Sequence, residues 1–216
     1  MKIKVAIIGL GIMGRRMLTH MRLHNNFEPD YLWDPDEYAC HQATMLDPQS
    51  QIMDNASDAI SKADLVYLAC PPAVRETYAL EAAAAGKALF LEKPFGININ
   101  DSGKLLTCLK DYEIPVAVNF TQASGVALTD LLIAKERGDM GALLGVDIIV
   151  TYPVWPRQWQ KDADWLRFRA EGGMTREVIS HFLFFTERVL GPLSLFSAPT
   201  PSPDARARVV PERAVD

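Results

Sequence analysis

The sequence has few cysteines, no excess of basic residues and no long apolar run, and each shortage argues against a class of protein. Its three cysteines, Cys40, Cys70 and Cys108, lie far apart without a CxxC pair, so we expect a reducing cytoplasm and neither a disulfide framework nor a cysteine metal site. A formal net charge of -5 argues against nucleic-acid or anionic-membrane binding, because both need a basic surface. No segment approaches the roughly 18 apolar residues of a membrane span. Small molecules are therefore the expected partners.

The first half of the chain alternates apolar runs of strand length with amphipathic stretches of helix length, as βαβ units do. We predict strands at 5–8, 31–33, 65–69, 88–91 and 115–118. We predict helices at 12–24, 35–46, shortly after 55, 73–85 and 101–112. Two of the strands, 65–69 and 88–91, are continuously apolar, so we expect an α/β fold whose parallel sheet is covered on both faces.

The chain after residue 119 predicts a second, incomplete domain of α+β type. A helix at 128–137 and a long strand at 143–152 open this domain, and a later apolar helix ends at Gly191 and Pro192. Proline, alanine and arginine then dominate without periodicity, which is typical of a disordered tail. The predicted division is a first domain over 1–119, a partial domain over 120–196 and a tail over 197–216.

Three glycines follow the first predicted strand in the spacing of a dinucleotide-binding turn. Gly9, Gly11 and Gly14 open the first helix, with Ile12 and Met13 between the last two. The first glycine permits a tight turn, the second lets the backbone approach a pyrophosphate, and the third allows close packing of strand and helix. These five residues are therefore expected to bind the cofactor, in a doubly wound Rossmann sheet.

Asp34 is the expected ribose-binding residue. It follows Gly14 by 20 residues and ends the second predicted strand, where a carboxylate can accept hydrogen bonds from ribose hydroxyls. The alternative is a solvent-exposed acid in the turn formed with Asp36. A ribose-binding carboxylate would repel a 2'-phosphate, so we expect NAD to be preferred over NADP, although Arg15 and Arg16 could oppose this preference.

Two later strands end in motifs that reach the expected ligand crevice. Cys70 and Pro71 follow the strand at 65–69, and Glu92, Lys93 and Pro94 follow the strand at 88–91. Ligands of open parallel sheets bind at the carboxyl ends of the strands, so Lys93 is placed for chemistry.

The glycine turn and the Glu92-Lys93-Pro94 motif together resemble the glucose-fructose oxidoreductase/inositol dehydrogenase (Gfo/Idh/MocA) family. In that family the motif lysine lies near nicotinamide and substrate, and the preceding strand ends in Thr-Pro with a histidine four residues later. This sequence has Cys70-Pro71 and Arg75 at those places. The resemblance implies cofactor contacts from Cys70, Pro71, Arg75, Glu92 and Lys93.

A third signature of the family is a glycine pair followed by Asp-x-x-x-His on a helix, with the histidine as acid or base. Gly172 and Gly173, followed by Glu177 and His181, resemble it with glutamate in place of aspartate. The spacing places Glu177 and His181 on one helix face, and imidazole titrates near neutral pH. The alternative for His181 is a core histidine that only packs.

A tryptophan-rich segment precedes the glycine pair. Trp155, Trp159 and Trp165 could line a sugar site or could pack in a core. Trp165 and Arg167 resemble a family segment that approaches the active site, which implies substrate contacts. Elsewhere, His20 and His24 have a zinc-binding spacing but no nearby acidic partner, so we expect a solvated helix face and no metal site.

The expected function is an NAD-dependent oxidoreductase that transfers hydride between nicotinamide and a secondary alcohol or ketone of a sugar, cyclitol or related polyol. Lys93 would stabilise alkoxide charge, His181 would act as general base, and Glu177 would orient His181 or bind a hydroxyl. The alternative is an NAD(P)-binding sensor without turnover.

Family members continue with most of an antiparallel sheet, so this chain is expected to be a fragment, a natural truncation or a chain with an altered tail. We expect it to bind NAD and to turn over poorly alone. Homo-oligomers through the second domain are possible.

Overall fold

The computed structural model describes residues 2–142, 144–160, 163–168 and 172–194. The chain divides into two compact units, Met1–Asn119 and Phe120–Asp216, and each is described by itself. The tail predicted at 197–216 lies outside the described residues. No helix in the described part of the chain is long and apolar enough to cross a membrane.

The first unit contains a parallel sheet of six strands in the order β3-β2-β1-β4-β5-β6. The strands are β1 (Ile3–Ile8), β2 (Phe27–Trp33), β3 (Gln51–Ile52), β4 (Leu65–Leu68), β5 (Ala88–Glu92) and β6 (Val116–Asn119). The order reverses between β1 and β4, and this switch point is where such sheets open a ligand crevice beyond the carboxyl ends of the strands. The predicted doubly wound α/β fold is confirmed.

Five helices connect the strands, and short polar side chains begin three of them. The helices are α1 (Ile12–Leu23), α2 (Glu37–Leu46), α3 (Ala56–Lys62), α4 (Pro72–Ala84) and α5 (Ile99–Asp111). Asp36, Asn55 and Asn98 accept hydrogen bonds from first-turn amides of α2, α3 and α5, which satisfies donors that a helix leaves unpaired. The first helix, α1, begins without a capping side chain in the described part of the chain.

The core of this unit has two halves, one on each face of the sheet. Helices α3, α4 and α5 pack on one face, and α1 and α2 pack on the other. Val66, Tyr67 and Leu68 of β4 are fully buried, as the continuously apolar run predicted. A fully buried aliphatic side chain contributes roughly 1.5–3 kcal/mol relative to an exposed one, so the central strands are held firmly in place.

Apart from element boundaries, such as β2 beginning at Phe27 instead of at residue 31, the structure differs from the sequence predictions at two places in this unit. The two-residue strand β3 was missed because Gln51–Ile52 carries no apolar run. The face of the sheet bearing α1 is covered only in part, because a groove of about 420 Å³ lies beside α1 over β5 and β6. His20 and His24 line this groove, and the described residues contain no group of three or more potential metal ligands.

The second unit consists of helices and turns in the part that the structure describes. Helix α6 (Val126–Arg137) ends at Gly138 and helix α7 (Ser180–Leu190) ends at Gly191, each glycine having a positive φ. The two helices pack together, and the Lys135 ammonium donates to the Val189 carbonyl at 2.6 Å.

The predicted strand at 143–152 is wrong for the described residues 144–152, which form no strand. Leu144 and Ile149 are 99% and 86% exposed. An apolar run rich in β-branched residues favours a strand, but a strand also needs a neighbour to pair its backbone groups. The described part of the second unit offers no such neighbour.

Candidate active site

The glycine turn between β1 and α1 shows why each glycine is required. Gly9 has φ +98°, and a Cβ there would lie 2.5 Å from the Cys70 nitrogen. A Cβ on Gly14 would lie 1.9 Å from the Gly9 carbonyl oxygen, so only glycine lets α1 approach the turn. A Cβ on Gly11 would meet no heavy atom of the described residues within 4 Å, which leaves open space in front of the backbone.

This open space faces the beginning of α1. The amides of the first helical turn have no capping side chain and no acidic residue among the described residues, and a helix N-terminus favours an anion. The residues present therefore fit the pyrophosphate of a dinucleotide, which the backbone of Gly11, Ile12, Met13 and Gly14 would hold.

Asp34 lies directly after β2 and holds the glycine turn. Its Oδ2 accepts a hydrogen bond from the Leu10 amide at 2.6 Å, and its Oδ1 accepts one from the Asp36 amide at 2.9 Å. The Arg15 guanidinium donates to the Leu10 carbonyl at 2.6 Å, on the same turn. Because each carboxylate oxygen can accept more than one hydrogen bond, Asp34 retains acceptor capacity for ribose hydroxyls.

Arg75 joins the ends of β4 and β5. Its Nη2 donates to the Cys70 carbonyl at 2.7 Å, and its Nη1 donates to the carbonyls of Glu92 and Pro94. The side chain is only 3% exposed, and burial lowers the pKa of its guanidinium. Burial also raises the pKa of the Cys70 thiol, although Arg75 opposes the shift, so Cys70 is held as a neutral thiol.

Glu92 is held beneath the same loop by two residues from neighbouring strands. Its Oε1 accepts hydrogen bonds from the Tyr67 hydroxyl and from the Asn119 amide nitrogen, the latter at 2.5 Å. All three side chains are buried. Burial and the adjacent Glu92 carboxylate raise the pKa of Tyr67 far above its usual range, so Tyr67 remains a hydrogen-bond donor.

The site residues predicted in the first unit therefore fall into two sets. Gly9, Gly11, Gly14 and Asp34 surround the turn, and Lys93 follows β5 with a half-buried side chain. Arg75 and Glu92, by contrast, are bonded to protein groups in the interior instead of being presented at the crevice, because each satisfies partners on adjacent strands. Pro71 is exposed and precedes α4.

Glu177 and His181 belong to the second unit. Glu177 lies in a π-helical turn, Thr175–Ile179, and such turns occur frequently at functional sites. Its carboxylate is buried and accepts a hydrogen bond from Gln160 at 3.4 Å. His181 is half-buried at the beginning of α7, and its ring packs edge-on against Phe120 with 5.6 Å between centroids.

The segment before the glycine pair folds back onto it through the backbone. The Gly173 amide donates to the Leu166 carbonyl at 3.0 Å, and the Gly172 amide donates to the Phe168 carbonyl at 2.8 Å. Trp165 and Arg167 lie in the 3-10 turn Asp164–Arg167, with the Arg167 side chain exposed. The turn that carries the predicted substrate residues is thus fixed next to the helix of Glu177.

Sequence reasoning missed three buried polar residues, Tyr67, Asn119 and Gln160. Tyr67 and Asn119 hold the Glu92 carboxylate, and Gln160 joins Glu177 to the Arg157 guanidinium, which donates to Gln160 at 2.9 Å. One signal was present for Tyr67, which is the only polar-tipped residue in the apolar strand β4. Nothing local in the sequence marks Gln160.

The fold and the glycine turn define a dinucleotide-binding protein. The model of the Gfo/Idh/MocA family, described as an oxidoreductase family with an NAD-binding Rossmann fold, matches residues 3–120. The chain therefore belongs to this family, and NAD is the cofactor for which the family's fold is described.

Similar sequences and solved structures match parts of this chain. An oxidoreductase of Streptococcus pneumoniae is 23% identical over 114 residues, which cover 52% of this chain and 30% of that protein. The WlbA dehydrogenase from Chromobacterium violaceum, solved with NADH and UDP-GlcNAcA, superposes with TM-score 0.75 at 20% identity and covers 88% of this chain and 56% of its own. The apo scyllo-inositol dehydrogenase from Lactobacillus casei superposes with TM-score 0.60 at 18% identity, covering 65% and 43%.

These matches cover the similar proteins only in part. The chain spans less than a third of the Streptococcus relative and about half of the solved structures. A second relative, from Amycolatopsis mediterranei, is named as a proposed oxidoreductase subunit of UDP-kanosamine synthase. It is 29% identical over 147 residues, which cover 66% of this chain and 37% of that protein.

Proposed function

We propose that this chain provides the cofactor-binding part of an NAD-dependent oxidoreductase that acts on a secondary alcohol or ketone of a sugar, cyclitol or related polyol. The observation that carries the proposal is the open space at Gly11 before an uncapped helix, with Asp34 bonded to the same turn. The solved structures with UDP-GlcNAcA and with scyllo-inositol support a substrate rich in hydroxyl groups.

The residues of the chain divide the work by their chemistry. The first-turn amides of α1 bind the pyrophosphate and Asp34 accepts hydrogen bonds from the ribose. The nicotinamide supplies the hydride acceptor or donor. Lys93 stabilises developing alkoxide charge, while His181 accepts the hydroxyl proton. Glu177 orients His181 or binds a neighbouring hydroxyl.

Four residues expected to touch the cofactor have a different place in this proposal. Arg75 and Glu92 support the loop of Lys93 from the interior, since their polar atoms are bonded to backbone and side-chain groups of the sheet. Cys70 accepts a hydrogen bond from Arg75 through its carbonyl, and Pro71 directly precedes α4, the helix that carries Arg75.

A second candidate function is an NAD(P)-binding sensor without turnover. The observation that favours it is Arg75, which is turned into the interior at a position where the resemblance implies a cofactor contact. Such a protein would keep the glycine turn and Asp34 but would have no need of a substrate site.

The two candidates are separated by one pair of measurements on the purified chain and on a longer form, which is the same chain extended by a family-like C-terminal antiparallel sheet. NADH binding is titrated by fluorescence, and hydride transfer is followed by NADH absorbance with inositols and nucleotide sugars as substrates. We expect both proteins to bind NADH and only the longer form to transfer hydride. Binding without transfer in both proteins would support the sensor, and absence of binding would overturn both candidates.

Asp34 is expected to set the preference for NAD over NADP. The wild-type protein should bind NAD about tenfold more tightly than NADP. A hydrogen bond from a ribose hydroxyl to the charged Asp34 contributes ~1.5–3 kcal/mol, and the same charge would repel the 2'-phosphate of NADP. Asp34→Asn keeps an acceptor for the Leu10 amide but loses the charge, so the two affinities should approach each other. Equilibrium titration of both cofactors measures this.

The exposed Asp36 provides the matched control, because Asp36→Ala also removes a carboxylate near the turn. Asp36 caps α2, so its replacement should leave the ratio of the NAD and NADP affinities unchanged. Tighter binding of NADP than of NAD by wild type would contradict the assignment of Asp34.

A further inference from the structure

Arg75 makes an unusual set of contacts around Lys93. One nitrogen, Nη1, donates to the carbonyls of Glu92 and Pro94, which are the residues on either side of Lys93. The other, Nη2, donates to the Cys70 carbonyl at 2.7 Å, at the end of the neighbouring strand β4. A single buried guanidinium therefore holds the Glu92–Lys93 peptide plane before Lys93 and the Pro94–Phe95 peptide plane after it, and ties both to the end of β4.

We infer that Arg75 is a positioning residue for Lys93: it holds the loop after β5 so that the lysine is presented to the cofactor crevice. The inference rests on the proposed function for the role of Lys93, but the effect of Arg75 on the loop does not depend on any ligand. Nothing else among the described contacts joins Cys70, Glu92 and Pro94 to one side chain.

The chemistry of the contacts requires arginine. Three carbonyls in a fixed arrangement need donors in a planar fork, whereas neutral imidazole has one N–H donor and lysine presents a point charge on a flexible stem. A histidine at this position could not make these three bonds.

The arrangement is poorly explained by stability alone. Burying a cation is costly even when it is partnered, and an apolar side chain of similar volume often stabilises as well or better. The Arg75 Nε is also buried without an acceptor among the described residues, and an unpaired buried donor lowers stability further. Glu92 provides partial compensation through its nearby negative charge. A residue retained despite these costs is better explained by what it holds in place.

Hydrogen-deuterium exchange on the full chain without ligand tests the inference directly. In Arg75→Met, amides of residues 92–98 should exchange about tenfold faster than in wild type. The loop can then open locally without the free-energy cost of breaking the three Arg75 hydrogen bonds. Arg75→Lys should give an intermediate rate, since one ammonium can keep some of the carbonyl contacts.

Arg22→Met is the matched control. Arg22 is a partly buried arginine whose guanidinium donates to Asp47 at 2.8 Å and to the Pro29 carbonyl at 3.2 Å, near the start of β2 and away from the crevice. Arg22→Met should lower the thermal midpoint of unfolding without changing amide exchange at 92–98.

If Arg75→Met and Arg22→Met speed amide exchange at 92–98 equally, or if a folded Arg75→Met leaves this exchange unchanged, the inference is overturned. Should Arg75→Met fail to fold, Arg75→Lys decides: wild-type exchange at 92–98 overturns the inference, and faster exchange supports it.

A second measurement links the loop to the cofactor. Amine labelling of Lys93, read by mass spectrometry, should be slowed by NADH in wild type and much less in Arg75→Lys, while NADH affinity changes by less than about threefold because the glycine turn is intact. If NADH binds wild type but does not protect Lys93, the proposed role of Lys93 fails while the exchange result still stands. If Arg75→Lys shows faster exchange at 92–98 but full protection of Lys93, Arg75 orders the loop without presenting the lysine, and the inference is overturned.

Discussion

Replacing Gly11 with alanine is expected to weaken NADH binding by about a hundredfold or more while leaving the protein as stable as wild type. The added methyl group meets no described protein atom within 4 Å, so the fold has room for it. It would instead occupy the space that a pyrophosphate needs in order to reach the first-turn amides of α1. The loss of two charge-assisted hydrogen bonds, each ~1.5–3 kcal/mol, corresponds to a fall in affinity of roughly 10²–10⁴-fold. Fluorescence titration and thermal unfolding measure the two quantities.

Gly14→Ala is the matched change three residues along the same turn, and unlike Gly11→Ala it should lower the stability of the fold. Its methyl group would lie 1.9 Å from the Gly9 carbonyl oxygen, so strand and helix must move apart. Overpacking of this kind typically costs about 1–3 kcal/mol, and here the obstacle is backbone, which cannot rotate away. Equal stability losses in the two variants, or normal NADH affinity in Gly11→Ala, would show that the open space is not the cofactor site.

Lys93→Met is expected to lower kcat for a polyol by about 10²–10³-fold, measured in the chain extended by a family-like C-terminal sheet. Methionine keeps much of the length of the side chain but carries no charge, so it cannot stabilise an alkoxide. NADH affinity should change little, because the amides and Asp34 that are proposed to hold the cofactor are elsewhere. Steady-state kinetics and NADH titration separate the two effects, since a group acting on the transition state lowers kcat without weakening ground-state binding of the cofactor.

Lys87→Met provides the control for Lys93. Lys87 directly precedes the first residue of β5, at the end of the strand away from Lys93. Its ammonium donates to the Ser61 carbonyl at 2.9 Å. It should leave kcat unchanged. A Lys93→Met variant with wild-type kcat would exclude Lys93 from the chemistry, and one that loses kcat and NADH affinity together would place Lys93 in cofactor binding instead.

Local patterns in the sequence were sufficient for most of the first unit. Continuous apolar runs predicted β4 and β5, and amphipathic stretches of helix length predicted the five helices that connect the strands. The two-residue strand β3 escaped because it is held by its neighbour β2 and not by its own composition. The strand predicted at 143–152 failed for the related reason that pairing partners are contributed by other parts of a chain.

The candidate site shows the same division. The spacing of Gly9, Gly11 and Gly14 predicted a phosphate-binding turn, because the geometry of such a turn restricts which residues can occupy it. The motifs placed Arg75 and Glu92 near the crevice, but they could not predict the direction in which these two side chains point. Both point into the interior, where carbonyls and side chains from three strands satisfy them.

The sequence by itself determined the α/β class, the glycine turn and the position of Lys93 after a buried strand, since each of these depends on residues close together in the chain. Only the tertiary structure decided which polar groups support the site and which face it. Tyr67, Glu92 and Asn119 come from β4, β5 and β6, and they form one network only when those strands lie side by side. The physical reason is that a buried polar group must find its hydrogen-bond partner wherever the fold brings one within reach, and that partner can be distant in sequence.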